Sequence, residues 1–316
     1  MQLSADTGTV KIQYNMILKT IAKFTASSPL GFLGGFYMAW NIGANDVANS
    51  MASSVGAKAI TLRQAIVIAG ILNIIGAAFI GSHVTDTIRN NIISPEILGN
   101  PELALTGALA ALLSAAMWIS FATWRSLPVS TTHSIVGAMI GFGIIAGGFS
   151  MVNWVQLGAI VSSWIISPVF SLVISYVTFK IIVLLILVRA DSYRAALRLS
   201  PLFIGIAVFT VVMSFVFKTP LGSSFHLSTP VAGAISLLTA LLAGFIGKRF
   251  VVSAFAPGSE RGAEDVFRRI QIGTACYVAL AQGANDVANA IGPLALIYFL
   301  VRTGEVGLQV PVPFFW

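Results

Sequence analysis

The sequence predicts an all-α protein: a polytopic membrane helical bundle with inverted-topology repeats and broken or re-entrant helices. Three observations lead to this prediction. First, the 316 residues are 57% hydrophobic and only 9% charged, with a mean hydropathy of +0.90, whereas soluble domains contain about 25% charged residues. Second, apolar runs long enough to cross a bilayer recur along the chain. Third, an octapeptide that contains an acid occurs twice, with seven identical residues and a small eighth residue, each time inside apolar sequence.

The apolar runs give the expected helices in chain order. Because about 20 apolar residues span the hydrocarbon core, we expect roughly eight to ten passes. The longest run is either one tilted pass that kinks at Pro168 or two passes. The runs are Leu30 to Ala57, Ala65 to Ile80, Leu103 to Trp124, Val129 to Phe149, Trp154 to Val188, Leu202 to Phe217, Val231 to Ile246 and Ile270 to Val301.

The basic residues set the expected orientation of these runs. Two polar stretches, 189–198 and 248–269, hold eight of the 18 Lys and Arg residues and are predicted to be cytoplasmic. This placement in short loops explains the net charge of +7 without a nucleic-acid partner. If Trp154 to Val188 is one pass, the first octapeptide descends into the cell and the second ascends. The two copies are then antiparallel, as in inverted-repeat transporters.

The octapeptide occupies Gly43 to Ser50 and Gly283 to Ala290. An acid at membrane depth is costly and by default marks an ion or substrate path. Gly, Asn and Asp weaken a helix, so we expect an unwound turn whose carbonyl, carboxylate and amide oxygens bind a cation. The alternative is that the small and amide residues only pack helices closely. The candidate cation ligands are Asn45, Asp46, Asn49, Asn285, Asp286 and Asn289.

A second polar cluster, Pro128 to His133, opens a glycine-rich apolar run. Pro128 favours a helix start, and the hydroxyls of Ser130, Thr131 and Thr132 follow where backbone N–H groups have no intrahelical partner. Such a helix end binds anions without a cationic side chain. Alternatively, the hydroxyls cap the helix or bond to its own backbone. His133 either makes a structural hydrogen bond or titrates near neutral pH.

The two polar clusters have to be considered together, because both would place negative charge in the membrane. Two buried aspartates and an oxyanion would place several negative charges close to each other, and neither cluster contains Lys or Arg. Such burial is prohibitive without compensation, and a helix N-terminus supplies only about half a charge. Cations that enter with the anion are the remaining source, so the sequence predicts cation-coupled anion uptake.

At these residues the chain resembles the inorganic phosphate transporter (PiT) family. The shared features are the duplicated Gly-Ala-Asn-Asp-Val-Ala-Asn, the Pro-Val-Ser-Thr-Thr-His at Pro128 to His133, and the segments Thr61 to Ala65 and Thr87 to Arg89. The resemblance covers most of residues 30–150 and 270–300. It implies symport of phosphate with sodium, or with protons in some bacterial members, by an inverted-repeat bundle that forms a homodimer in the cell (inner) membrane.

The resemblance also implies roles for individual residues. Sodium would be the co-transported ion, with no organic cofactor, and the partners would be phosphate, membrane lipid and a second copy but no nucleic acid. Gln282, directly before the second motif, is an added candidate because Ile42 occupies the equivalent place in the first. The phosphate-binding set is Ser130, Thr131, Thr132, Gln282, Asn45 and Asn285; the sodium set is Asn45, Asp46, Asn49, Asn285, Asp286 and Asn289.

Two departures from the family pattern stand out. Asn73 occupies the place of a glutamate in animal members, and the second Pro-x-Ser-Thr-Thr-His is absent. We therefore expect the sequence to be part of a longer chain. Its expected divisions are an N-terminal segment (1–29), a first repeat (30–150), connecting helices with basic loops (151–269) and the start of a second repeat (270–316).

Proton coupling, transport of sulfate and an anion channel are the alternatives to sodium-coupled phosphate uptake. Coupling to protons, or transport of sulfate, would use the same polar groups. An anion channel would line an open pore with the broken helices. An intramembrane hydrolase built on Ser130 and His133 lacks a nucleophile elbow and a designed oxyanion hole, so we do not expect an enzyme.

Overall fold

The computed structural model describes residues 30–81, 100–218, 222, 225–253 and 262–303. The expected N-terminal segment 1–29, the segment Thr87 to Arg89 and residues 304–316 lie outside this part of the chain. Its regular structure consists of helices, which confirms the all-α prediction. The helices are α1 (Leu30–Gly56), α2 (Leu62–Ile80), α3 (Pro101–Trp124), α4 (Thr131–Gly147), α5 (Trp154–Ile182), α6 (Ser192–Lys218), α7 (Thr229–Ser253) and α8 (Ala263–Thr303).

Six of the helices in this part of the chain are long and apolar enough to cross a membrane: α2, α3, α5 with its extension, α6, α7 and α8. The prediction of a multi-pass membrane protein is therefore confirmed. Helix α4, with 17 residues, is shorter. Helix α5 continues through Pro168 without interruption and is extended by the π-helical turn Val183–Leu187, so the longest apolar run forms one continuous element.

Polar residues outside the apolar runs fix several helix starts. Thr61 and Gln64 form a capping box before α2, in which the Gln64 N–H donates to Thr61 Oγ1 (3.3 Å) and the Thr61 N–H to Gln64 Oε1 (2.9 Å). Asn100 caps α3 ahead of Pro101, which removes an N–H that would otherwise lack a partner. The helices therefore begin a few residues before the predicted apolar runs.

Helices α1 and α3 end in the same way. In each, the residue after the C-cap adopts a left-handed conformation, Lys58 with φ 56° and Ser126 with φ 59°. Their N–H groups donate to the carbonyls of Val55 and Thr123, three residues back, and the next N–H reaches five residues back. This is the Schellman arrangement, which glycine usually occupies.

The predicted unwinding of the duplicated motif is wrong. Helix α1 runs through Gly43 to Ser50, and the 41-residue α8 runs through Gly283 to Ala290 and Pro293 without a break. The physical reason is that the side chains of Asn45 and Asn289 hydrogen-bond to groups outside their own helices, so these side chains do not compete for the local backbone. The break in this region instead separates α3 from α4, at residues 125–130.

The described chain forms two compact units. Unit 1 comprises residues 30–46, 100–159 and 285–303. Its core contains Met38 of α1, Leu112 and Ile119 of α3, Ile135 of α4 and Leu296 of α8. The same four helices, with the 125–130 connection, carry the acid pair and the polar groups around it described below.

Unit 2 comprises residues 47–81, 160–218, 222, 225–253 and 262–284. Small side chains pack the end of α1 and α2 against α8 through a cluster that includes Ala65, Ala69, Ala275 and Ala279. A separate cluster joins α6, α7 and the start of α8, where the Phe203 and Phe267 rings meet edge to face with centroids 5.6 Å apart. Small residues thus set the close contacts of α2 with α8.

Candidate functional site

Within unit 1, helices α1 and α8 pack antiparallel. A methyl group on Gly31 would lie 3.0 Å from Ile297, and one on Gly35 would lie 2.7 Å from Leu294. The contacting residue numbers thus increase along α1 as they decrease along α8. Further along α1, the carboxyl groups of Asp46 and Asp286 lie within hydrogen-bonding reach of each other. The two motif acids therefore meet, although 240 positions separate them in the sequence.

Both acids are buried, Asp46 with 4% and Asp286 with 8% of its surface exposed. Within the described part of the chain, Asn285 and Asn289 donate to Asp286 Oδ1, and the side chains of Thr131, Thr132 and Asp46 lie close to the same carboxyl group. None of these groups is a cation. Buried carboxylates this close cannot both carry a charge unless a cation or a proton compensates one of them. The pair therefore creates a site for a positive species.

The start of α4 lies beside this acid pair. Asn289, which is fully buried, donates through Nδ2 to the hydroxyls of Thr131 (3.2 Å) and Thr132 (3.1 Å) and to Asp286 Oδ1 (3.4 Å). The Asn289 Oδ1 atom is buried and has no hydrogen-bond partner among the described residues. Carboxylate, hydroxyl and amide oxygens thus converge, and these are the ligands that hard cations prefer.

Ser130 takes a different place from its two neighbours. It is exposed and is the N-cap of α4, where its Oγ accepts the N–H of His133 at 3.2 Å. Helix geometry leaves the N–H groups of Thr131 and Thr132 without an intrahelical acceptor. The first turn of α4 therefore offers backbone donors at the positive end of the helix dipole, which suits an anion.

Asn45 holds the corner between α3 and α4. Its Nδ2 donates to Thr123 Oγ1 (2.9 Å) and to the Leu127 carbonyl (3.2 Å), and its Oδ1 accepts the Val129 N–H (3.0 Å). With 4% of its surface exposed, the side chain is committed to these three protein groups. Asn45 therefore positions the start of α4 in this structure.

The two motif copies present different faces. In the first, Asn45 and Asp46 are buried and Asn49, assigned to unit 2, is exposed. In the second, Asp286 and Asn289 are buried, whereas Asn285 is exposed and donates to Asp286 Oδ1 at 3.3 Å. The two copies of the same sequence thus differ in which of their polar side chains are buried.

Gln282 and Gly283 lie in unit 2. Gln282 is partly buried, and its Oε1 has no hydrogen-bond partner among the described residues. A Cβ on Gly283 would fall 2.5 Å from the Asn73 Cα and 2.8 Å from its carbonyl carbon, so α2 and α8 touch through their backbones here. Asn73, which departs from the family pattern, therefore lies at a close helix contact.

Sequence reasoning missed a line of polar groups that leads to Asn45 along α1. The Tyr37 hydroxyl and Ser120 Oγ are 2.6 Å apart, Ser120 Oγ donates to Asn41 Oδ1 (2.6 Å), and Asn41 Nδ2 donates to the Tyr37 carbonyl (2.8 Å). The available signal was spacing, because Tyr37, Asn41 and Asn45 recur every four residues and share one helix face. Opposite them, Ser120 and Thr123 are three residues apart.

Comparison with known proteins extends this description. Residues 42–316 match the sequence model of the phosphate transporter family. The chain is 45% identical over 279 residues to a candidate phosphate permease of Thermococcus kodakarensis, covering 88% of this chain and 68% of that one. It is 36% identical over 308 residues to the chloroplastic inorganic phosphate transporter 2-1 of Arabidopsis thaliana, covering 89% and 52%. It is also 42% identical to a solved structure of a sodium-dependent phosphate transporter, with a TM-score of 0.80, covering 90% of this chain and 70% of that one.

Proposed function

The chain belongs to the phosphate transporter family, and on this basis we propose that it imports inorganic phosphate by symport with sodium. The observation that carries the proposal is the buried pair of Asp46 and Asp286 beside the first turn of α4. The acids attract a cation, and the helix end attracts an anion. Each charge compensates the other, so the two species bind better together than apart.

In this proposal sodium binds the oxygens that meet around Asp286. The ligands are the two carboxylates, the hydroxyls of Thr131 and Thr132, and Asn289 Oδ1, whose lack of a partner among the described residues leaves it available. Phosphate binds the backbone donors at the start of α4, with the threonine hydroxyls shared between both species. Gln282, Asn285 and Ser130 remain candidates for phosphate, and Asn49 and Asn285 for sodium.

The inverted arrangement of the repeats and a homodimer are part of the same proposal. The antiparallel packing of α1 with α8 supports the inversion, since each of these helices carries one motif copy. Alternating access around a site shared by two inverted halves is the usual consequence of such an arrangement.

A second coupling mode has its own support. Two carboxyl groups within hydrogen-bonding reach share a proton readily. Symport with protons would use the same acid pair, with protonation in place of sodium binding. Sulfate is the competing anion, because N–H and hydroxyl groups donate hydrogen bonds to either oxyanion. Competition by sulfate in the uptake assay distinguishes a phosphate transporter from a sulfate transporter.

The test is phosphate uptake into proteoliposomes, with sodium and pH gradients imposed separately. We expect uptake above the equilibrium level with the sodium gradient alone. Asp286→Asn should weaken the apparent sodium affinity about 10- to 150-fold, because removal of one charged contact costs about 1.5–3 kcal/mol. The matched control is Asp191→Asn, an exposed acid paired with Arg194, which should leave uptake unchanged.

Each other outcome has a defined meaning. Uptake driven only by the pH gradient would show that protons, and not sodium, are the coupling ion. Equilibration without accumulation would indicate an anion channel. Unchanged sodium dependence in both Asp46→Asn and Asp286→Asn would show that the acid pair does not bind the coupling ion.

A further inference from the structure

A cavity of about 650 Å³ lies in unit 2 between α6, α7 and α8. Its walls are mainly aliphatic and aromatic, with Ile204 and Val208 from α6, Phe250 from α7 and Ile270 from α8. The volume is within the range of about 300–1,000 Å³ that small-molecule sites occupy. None of the residues proposed for sodium or phosphate lines it, so it is a separate feature.

The cavity combines this apolar wall with a charge at its mouth. Arg269 and Gly273 line it and are both exposed, one helical turn apart on α8. Phe250, with 71% of its surface exposed, lines it from α7 and directly follows Lys248 and Arg249. All three helices are apolar enough to cross a membrane. The opening therefore lies where lipid reaches the protein, and Arg269 is the basic residue that lines it.

We propose that this cavity binds one anionic phospholipid, with the lipid phosphate on Arg269 and an acyl chain along the apolar wall. A guanidinium group recognises phosphate through paired hydrogen bonds. Basic pockets between transmembrane helices bind anionic headgroups in the same way. A purely apolar occupant would gain nothing from Arg269, and a soluble anion would gain nothing from the walls. Only an amphipathic anion uses both.

Native mass spectrometry of the intact chain tests this proposal. The protein is purified with an equal mixture of phosphatidylglycerol and phosphatidylcholine that carry the same acyl chains, and the retained lipid is identified by its mass. We expect one phosphatidylglycerol per chain. Arg269→Gln should lower its retention about fivefold, the effect of losing one basic contact with an anionic lipid. Arg269→Lys should recover most of it.

Two further variants locate the lipid. No described atom lies within 4 Å of a Cβ added to Gly273, so Gly273→Phe fills the cavity without displacing backbone, and it should also lower retention. Arg249→Gln is the matched control, an exposed arginine that does not line the cavity, and it should retain the lipid. Excess inorganic phosphate should not displace it.

Several results would overturn the proposal. These are equal retention of the neutral lipid, equal losses in Arg249→Gln and Arg269→Gln, full retention in Gly273→Phe, or displacement by inorganic phosphate. A second protein chain bound in place of lipid would assign the cavity to an interface between copies.

Discussion

The same glycine in the two motif copies should respond in opposite ways to a single methyl group. At Gly43, no described atom lies within 4 Å of an added Cβ. At Gly283, the added Cβ would lie 2.5–2.8 Å from backbone atoms of Asn73, whereas carbon atoms pack best at about 3.5–4.0 Å. Helix α2 would have to retreat by roughly 1 Å. Backbone cannot rotate away as a flexible side chain can, so this movement is the only relief.

The magnitude follows from two opposing effects. Overpacking costs about 1–3 kcal/mol, and a backbone contact belongs at the upper end. Alanine is about 1 kcal/mol better than glycine inside a helix. Gly283→Ala should therefore lower the free energy of unfolding by about 2 kcal/mol, whereas Gly43→Ala should raise it by about 1 kcal/mol.

Unfolding in mixed detergent micelles, followed by circular dichroism, measures this difference. Gly70→Ala is a further control, because Gly70 is also on α2 and its added Cβ has no described atom within 4 Å. Gly283→Ala should also reduce phosphate uptake, since the displaced contact is three residues before Asp286. If Gly283→Ala were as stable as Gly43→Ala, the close contact of α2 with α8 would not exist.

Three further predictions concern stability and binding. Asn45→Ala leaves three groups in the connection between α3 and α4 without their hydrogen-bond partner, so it should lower the free energy of unfolding by about 1–3 kcal/mol. It should also raise the KM for phosphate more than it lowers kcat. An unchanged KM would contradict the positioning role of Asn45. Ser126→Gly should raise the free energy of unfolding by about 1 kcal/mol, because glycine adopts the left-handed conformation without strain. Unfolding in mixed micelles measures this change, and a lower free energy of unfolding would refute the prediction. Asn289→Ala should lower the free energy of unfolding more than Asn49→Ala, because Asn289 is fully buried and Asn49 is exposed. Equal losses in the two variants would mean that burial does not distinguish the two motif copies.

The sequence predicted the helices well because apolar content reports membrane depth directly. The predicted run Leu30 to Ala57 became Leu30–Gly56, and Val129 to Phe149 became Thr131–Gly147. Helix α6 is the main exception: it begins at Ser192 rather than Leu202, because its first turns are polar and continue beyond the apolar run. Helix ends depend on capping groups, which composition does not reveal.

The site was predicted less completely, for a physical reason. The motif residues were identified from their cost at membrane depth, and this cost is a property of the residue itself. The buried face of each copy depends instead on the neighbouring helix, which local sequence does not specify. Hence nothing in the repeated octapeptide indicated that Asn45 would bind the α3–α4 corner while Asn285 would be exposed. Nor did it indicate that the helices would continue through both copies.

The two sets of contacts made by α4 also bear on how the protein assembles in the membrane. The corner before α4 obtains its partner from Asn45 of α1, which is synthesised first and is already present when α3 and α4 emerge. The hydroxyls of Thr131 and Thr132 bind Asn289, which is made more than 150 residues later. Unpaired polar groups in hydrocarbon cost several kcal/mol. In a nascent chain that ends before α8, the connection between α3 and α4 should therefore have its hydrogen bonds to Asn45, whereas the hydroxyls of Thr131 and Thr132 still lack Asn289. This is the state that a quality-control protease or chaperone would encounter.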